Sequence, residues 1–323
     1  MSVIKLINAS DASSLNWYLK YIGLPLSVGF TMYRLCSQVT NRKRRNALQG
    51  KVVVITGASS GIGEALAHVF YEYGCKVVLA ARRRTELDRV KQDLISKKIA
   101  SAFNCVSSTE EPVVCELDLS NLEQLEPFVK KIYDTCGQID ILINNGGVSH
   151  RGSILHTTLE VDRKIMDTNY FGSVGLTKAV LPRMVEKKSG HVVFVSSVQG
   201  LIAIPDRSAY AASKHALQAF ADSLRAEMFQ HKIEVSVVSP GYVKTAVSLN
   251  ALTGSGENHG VMDKSTAAGF TPQFVAMKIL DMVVNKDKQL VISQFLPNLA
   301  VFLRHSVPSL YFWVMARRAN ITN

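Results

Sequence analysis

Tyr210 and Lys214 stand four residues apart, a spacing that projects two side chains from one face of a helix. A phenol with an ordinary pKa of about 10 is a poor acid or base at neutral pH, and a neighbouring ammonium lowers that value by favouring the phenolate. The pair is therefore a candidate proton donor with its activator, and Lys214 can also hold a ribose hydroxyl. In isolation such a pair is commonly an exposed helix face, so its surroundings decide its weight. Ser197, in Val195-Ser196-Ser197, follows an apolar run. That places its hydroxyl at the carboxyl edge of a sheet, where it can hydrogen-bond a substrate carbonyl. Asn169 lies inside a long amphipathic stretch although asparagine is a poor helix former. Its amide is expected to anchor a water beside Lys214, with core packing as the alternative.

A second constellation lies upstream. Thr56-Gly57-Ala58-Ser59-Ser60-Gly61-Ile62-Gly63 joins a β-branched run to an amphipathic stretch. Gly57, Gly61 and Gly63 permit a tight turn, close backbone approach to a pyrophosphate and close helix–sheet packing. Amides at Ser59, Ser60 and Ile62 open the helix and can receive the anion. Where a strand in an NAD-binding fold usually ends in a carboxylate for the adenine ribose, this chain has Ala81-Arg82-Arg83. Guanidinium groups at Arg82 and Arg83 suit a ribose phosphate, which favours NADP over NAD. A solvated basic face is the alternative, to which Arg84 is best suited. Asp118 can accept from an adenine amino group or cap a helix starting near Asn121. Asn145 and Gly146, in Asn144-Asn145-Gly146-Gly147, leave room for a ribose and can tie neighbouring strands together.

These residues need a scaffold that brings strand ends together. Short β-branched runs at 52–56, 76–80, 113–117, 139–143, 191–195, 233–238 and 289–292 alternate with longer amphipathic stretches at 63–73, 86–97, 122–136, 161–186, 210–230 and 272–285. The runs lack a polar face, which suits strands covered by helices on both sides. The expected fold is α/β, a doubly wound parallel sheet of about seven strands, the Rossmann arrangement. Residues 101–111 read as a surface loop. The long polar stretch 248–269 reads as a lid or binding loop.

Residues 1–50 form an N-terminal hydrophobic anchor segment and basic linker, 51–293 the dinucleotide-binding catalytic domain, and 294–323 an apolar C-terminal extension. Residues 15–33 are interrupted only by Lys20, and are read as a membrane anchor or a helix docked on the catalytic domain. If they span, the basic run Arg42 to Arg45 places the catalytic domain on the cytosolic side, of an endoplasmic reticulum or peroxisomal membrane. Residues 295–315 are also apolar, with Pro297 and Pro308 preventing one continuous helix. They either pack on the domain or a partner, or form a membrane-contacting flap near the substrate mouth. Apolar residues make up 47% and charged residues 20%, which excludes long disorder, and the net charge of +11 names no partner by itself. The basic clusters are not interleaved with aromatics, which argues against nucleic acid. Cys36, Cys75, Cys105, Cys115 and Cys136 lack paired spacing, so free thiols and no metal are expected.

Taken in order, the turn ending Gly61-Ile62-Gly63, Asn144-Asn145-Gly146-Gly147, Asn169, Ser197, Tyr210 with Lys214, and Pro240-Gly241 resemble the short-chain dehydrogenase/reductase family over residues 51–293. Arg151-Gly152, the stretches 167–172 and 208–216, and Pro240-Gly241-Tyr242 are most similar to a subgroup associated with lipid metabolism, including reduction of acyl or alkyl dihydroxyacetone phosphate. The resemblance implies a catalytic tetrad of Asn169, Ser197, Tyr210 and Lys214. It also implies cofactor contacts at Ser60, Ile62, Asn145, Val243 and Thr245, and a homodimer. Gly146 departs from the family's usual alanine, at the loss of one methyl. The activity expected is NADP-dependent reduction of a small hydrophobic carbonyl, a lipid-like ketone or aldehyde, with Tyr210 as proton donor. An NAD-dependent alcohol dehydrogenase and a non-catalytic membrane-tethered scaffold are the alternatives, and the complete tetrad weighs against the scaffold.

Overall fold

Among the described residues nine strands form in chain order: β1 Val52–Thr56, β2 Lys76–Ala81, β3 Val113–Glu116, β4 Ile141–Asn144, β5 His150–Arg151, β6 Gly190–Val195, β7 Ile233–Pro240, β8 Leu252–Thr253 and β9 Gln289–Ile292. The computed structural model describes residues 45–100 and 110–322, with Tyr21 and Leu24. Residues 1–47 and 48–323 are two compact units, and the strands all belong to the second. The apolar stretch 15–33 lies outside the described residues apart from those two positions, as do most of the polar loop 101–111, Cys36 and Cys105.

Seven strands pair in parallel in the order β3-β2-β1-β4-β6-β7-β9, the doubly wound α/β sheet expected from the apolar runs. Alternate residues of each strand feed different cores. Val53, Ile55, Val77, Leu79 and Ile143 pack with helices α1 Gly61–Glu72 and α2 Arg84–Ala100. Val54, Val78, Leu142 and Val192 point the other way, toward α3 Leu125–Cys136. Chain order reverses between β1 and β4. Their carboxyl ends therefore diverge into a crevice at which helices on opposite faces begin.

Beyond α3, the residues expected as one helix over 161–186 are divided. Helix α4 Leu159–Met166 is capped by Thr158 Oγ1, which accepts from the Val161 amide at 3.4 Å. A π turn over Asp167–Phe171 follows, and α5 Gly172–Lys187 resumes the α-helix. The extra residue of a π turn redirects one side chain, a device common at functional sites; here it aims Asn169 inward, fully buried. Helix α6 Ser208–Met228 carries Tyr210 and Lys214 in its first turns.

The long polar stretch after β7, read as a lid or binding loop, carries regular elements of its own. Its β8 pairs with β5 in a two-stranded parallel sheet, and it holds the short helix α7 Lys264–Ala267 before α8 Pro272–Asn285. The C-terminal residues form α9 Phe295–Ser306 and α10 Pro308–Thr322. Pro308 separates them, as expected, but Pro297 lies in the first turn of α9, where a proline forfeits no intrahelical hydrogen bond. One face of this hairpin packs on Val198 and Ile202 through the buried Tyr311, whose hydroxyl donates to the Ala203 carbonyl. Cys75 and Cys115 are buried free thiols that serve as packing residues.

Thr56 ties the crevice together. Its hydroxyl oxygen accepts from the amides of Asn145 at 3.0 Å and Gly146 at 2.9 Å, while the Asn145 side chain donates to the Thr56 carbonyl at 2.9 Å. Thr56→Val keeps the shape and leaves the Gly146 amide without its acceptor, while the Asn145 amide keeps only the Ile143 carbonyl. A loss of roughly 2 kcal/mol is expected in urea unfolding, more than for an exposed Thr→Val control.

Candidate active site

Every residue nominated from the sequence except Gly63 and Asn169 lines one cavity of about 1270 Å³ at the carboxyl edge of the sheet. At its β1 end, Gly57 and Gly61 have φ of +67° and +61°, values that suit glycine. A side chain at Gly57 would lie 2.8 Å from the Gly146 Cα, so β1 and β4 approach backbone to backbone. Ser60, the N-cap of α1, makes no side-chain cap, which leaves the first-turn amides open to an anion. Gly63 sits beneath this turn rather than in the cavity wall. A side chain there would overlap the Gly57 carbonyl and come within 2.7 Å of the Asn145 amide nitrogen. Its role is close packing of helix on strand.

Arg83 donates to the hydroxyls of Ser59 at 3.1 Å and Ser60 at 3.2 Å, so its guanidinium hangs over the glycine turn. Arg82 is exposed beside it, and both line the cavity, whereas Arg84 turns away to Asp88 at 3.0 Å. Asp118 does not cap a helix through its side chain. One carboxylate oxygen closes a turn on the Ser120 amide at 2.9 Å and hydroxyl at 2.8 Å, while the residue faces the cavity. Val243 and Thr245 also line the cavity, with Thr245 against the turn, where a side chain at Gly61 would lie 3.1 Å from its Cγ2. The Gly57–Gly61 cradle, the uncapped start of α1 and the guanidinium pair fit a nicotinamide dinucleotide. Ser60, Ile62, Arg82, Arg83, Asn145 and Lys214 are the residues placed to hold it.

Lys214 is nearly buried and donates to the Val195 carbonyl at 2.9 Å. Burial lowers its pKa to about 8. Tyr210 is half-buried with its ring centroid 5.8 Å from the lysine nitrogen. Burial pushes the Tyr210 phenol above its ordinary value, and the groups that pull it back are a hydrogen bond with Ser197 and the charges of Arg151 and Arg207. Two arginines outside the Tyr-Lys pair thus contribute to the field at the phenol. Both are nearly buried and share Asp263, which accepts from Arg151 at 2.5 Å and Arg207 at 3.2 Å. Burial raises the Asp263 carboxyl, but the hydrogen bond and charge of Arg151, with the charge of Arg207, hold it below its ordinary value. These residues come from β5, the start of α6 and the stretch after β8. No short spacing in the sequence could have grouped them.

Asn169 also differs from expectation. Its amide nitrogen donates to the Val148 carbonyl at 2.9 Å and the Ser213 hydroxyl at 3.0 Å, while its oxygen accepts from the Val148 amide at 2.8 Å. Both donors are spent on protein. The residue's evident work is to clamp the strand-end segment 147–148 against α6, one residue before Lys214. Ser197 accepts from the Gln199 amide at 3.1 Å, which fixes its hydroxyl beside Tyr210.

Among the described residues, Glu64, His68 and Asp93 bring potential metal-ligand atoms within 4.8 Å of one another. Their carboxylates are engaged by cations: Glu64 by Arg89 through two bonds of 2.9 and 3.0 Å, and Asp93 by Lys97 at 2.8 Å.

With this geometry established, comparison with known proteins is direct. The short chain dehydrogenase family pattern matches residues 51–254. A Drosophila melanogaster protein named dehydrogenase/reductase SDR family protein 7-like is 50% identical over 311 residues, covering 96% of this chain and 93% of its own. Dehydrogenase/reductase SDR family member 7B of Xenopus tropicalis is 48% identical over 295 residues, covering 91% and 93%. Among solved structures, a metagenomic short-chain oxidoreductase in complex with NADP shares 26% identity at a TM-score of 0.61, covering 77% of this chain and 98% of that one. A Burkholderia phymatum short-chain dehydrogenase/reductase in complex with NAD has the same fold at a TM-score of 0.68 and 24% identity, covering 81% and 95%. The chain belongs to the short-chain dehydrogenase/reductase family, and its relatives named for members 7B and 7-like match it over most of its length. It is an oxidoreductase of the NAD(P)-dependent class, which sets aside the non-catalytic scaffold.

The buried Lys214 has a consequence for stability. Its folded pKa of about 8 lies below its unfolded value of about 10.5. The unfolded chain therefore holds the extra proton between these limits, and stability rises with pH through that window. Below pH 8 the full cost of the buried ammonium is present. In the absence of dinucleotide, Lys214→Met is expected to lack this rise, a difference on the order of 3 kcal/mol between the two chains' urea-unfolding curves from pH 8 to 10.5.

Proposed function

We propose that this protein reduces a lipid-like ketone or aldehyde to an alcohol, with a preference for NADP over NAD. The observation that carries the cofactor preference is Arg82 and Arg83 at the end of β2, facing the cavity, with Arg83 fastened over the glycine turn. No carboxylate occupies residues 81–84, where an unphosphorylated adenine ribose would need an acceptor. The metagenomic relative's complex with NADP is consistent with this preference.

A nicotinamide dinucleotide held in this cradle would supply the hydride for the carbonyl carbon. Everything else is done by the chain. Ser197 holds the carbonyl oxygen through its hydroxyl, and Tyr210 delivers its phenolic proton to that same oxygen. A phenol raised by burial is protonated across the neutral range, which suits an acid. Once the proton has gone, the phenolate is stabilised by the fields of Arg151 and Arg207, and the nearby Lys214 can hold ribose hydroxyls. The cavity lining includes Ile202, Ile204, Leu252 and Leu303, apolar groups that would help exclude bulk water from the reacting carbon. The length of the cavity, from the glycine turn to the C-terminal helices, leaves room for an acyl or alkyl chain beyond the carbonyl.

Turnover of a lipid-extract panel by the full chain, with reduced products identified by mass spectrometry, tests both halves. NADPH is expected to support reduction at kcat/KM at least tenfold above NADH, and Arg82→Asp with Arg83→Asp to lower that ratio by about 10- to 100-fold, as expected for lost charge-assisted bonds. Tyr210→Phe is expected to reduce kcat by about 100-fold or more, with the dinucleotide KM little changed. Equal use of the two dinucleotides would overturn the preference. Reduction confined to water-soluble carbonyls would overturn the substrate class.

A further inference from the structure

The hairpin of α9 and α10 is built to be covered. Phe295, Leu296, Phe302, Phe312 and Trp313 are each more than half exposed, at 76%, 73%, 60%, 54% and 53%. A contiguous helix pair with so many large apolar side chains in solvent is unusual unless something seats on it. Its own contacts show the opposite face already spent: Tyr311, Ala300, Leu303 and Met315 pack against Val198 and Ile202.

Charge names the occupant. From residue 294 to the end, the chain carries Arg304, His305, Arg317 and Arg318 and no Asp or Glu. The cations are interleaved with the exposed rings: the Arg304 guanidinium lies 5.0 Å from the Phe312 centroid, and that of Arg317 4.1 Å from Trp313. Aromatic and aliphatic side chains beside arginines, with no acid among them, are the chemistry of a surface that seats in the headgroup layer of an anionic bilayer. Neither helix crosses a membrane; among the described residues no helix is long and apolar enough to do so.

Position adds a reason. Leu296, Leu299, Leu303, Val314 and Met315 of the same two helices line the cavity that holds Tyr210 and Ser197. The hairpin is thus both outer surface and cavity wall. We infer that α9 and α10 form a docking surface for an anionic phospholipid bilayer, which sets the cavity mouth against the lipid so that the carbonyl substrate enters from the membrane rather than from water. This rests on the lipid-like substrate proposed above, but docking is measured without substrate and can fail or succeed independently of it.

The test must read this surface and not any other lipid-binding part of the chain. The protein has two tryptophans, Trp17 and Trp313, so the full chain carrying Trp17→Phe reports from Trp313 alone. Vesicles of phosphatidylcholine with phosphatidylserine are expected to blue-shift its emission, and brominated acyl chains to quench it. Pure phosphatidylcholine vesicles should do neither at the same lipid concentration. Salt at about 1 M, where the Debye length falls to about 3 Å, should release the surface. Arg304→Glu with Arg317→Glu, in a variant whose thermal melt matches its parent, should weaken the vesicle partition coefficient by tenfold or more while leaving reduction of a dispersed short-chain carbonyl unchanged. No quenching by brominated lipid would overturn the proposal. So would a blue shift that depends on protein concentration alone, which would mark a second copy as the occupant. Equal quenching on neutral vesicles, or quenching indifferent to the charge reversals, would overturn it as well.

Discussion

A lysine ammonium held inside the protein by one backbone carbonyl is the constraint around which the site is arranged. The bond from Lys214 to the Val195 carbonyl spans the end of β6, where backbone that would otherwise run on into the sheet stops pairing. Room for the cation is made at Gly147, where a side chain would meet the Asn169 oxygen at 2.9 Å and the Lys214 nitrogen at 3.6 Å. The π turn then becomes intelligible as a consequence. A regular helix would carry Asn169 past this point, whereas the extra residue turns its amide into the gap between residue 148 and Ser213. The single bond to the Val195 carbonyl offsets the cost of the buried charge only in part, and a ligand that supplied further polar partners would offset more. Binding and the protonation of Lys214 are therefore linked.

Electrostatics at the phenol follow a different design from the one that the Tyr-x-x-x-Lys spacing suggests. Two guanidinium groups and one carboxylate leave a net positive charge near Tyr210, locked in place because Asp263 bonds both arginines at once. Arg151 is further fixed by bonds of 2.7 Å to the Ser149 hydroxyl and the His150 carbonyl. Such a preorganised field stabilises charge that develops during reaction without reorganising. Since Asp263 lies in the stretch after β8, the same contact that tunes the phenol also pins that stretch over the cavity, assisted by the β5–β8 pairing. Loop order and acid strength share one interaction.

The sheet was legible because inner strands such as β1 and β4 are apolar runs buried on both faces, and a parallel strand covered on both sides leaves that mark directly in composition. The glycine turn, Ser197 and the Tyr210–Lys214 spacing were legible because each depends on neighbours a few positions away. The Arg151–Asp263–Arg207 cluster was not, since its members are 56 and 112 positions apart and nothing local distinguishes them from surface charges. The break at 167–171 was missed for a related reason. Its residues keep helical hydrophobic periodicity on either side, and only the inward pull of Ser213 and Val148 on Asn169 reveals the inserted residue. The stretch 248–269, read as a lid or binding loop, is held by the β5–β8 pairing and by the ion pairs of Asp263 with Arg151 and Arg207, partners that its polar composition does not disclose.

The C-terminal hairpin illustrates how far composition can reach. Apolar content alone allowed either burial against the domain or contact with a bilayer, and the fold satisfies the first of these with one face only. Tyr311 decides which face, because its ring needs cover and its hydroxyl needs the Ala203 carbonyl, and helical geometry then forces Phe312 and Trp313 outward in the adjoining positions. The exposure of those rings is thus a consequence of a buried neighbour rather than a separate feature. Its persistence beside Arg304 and Arg317 ties the chemistry of the outer face to the same residues that close the cavity within.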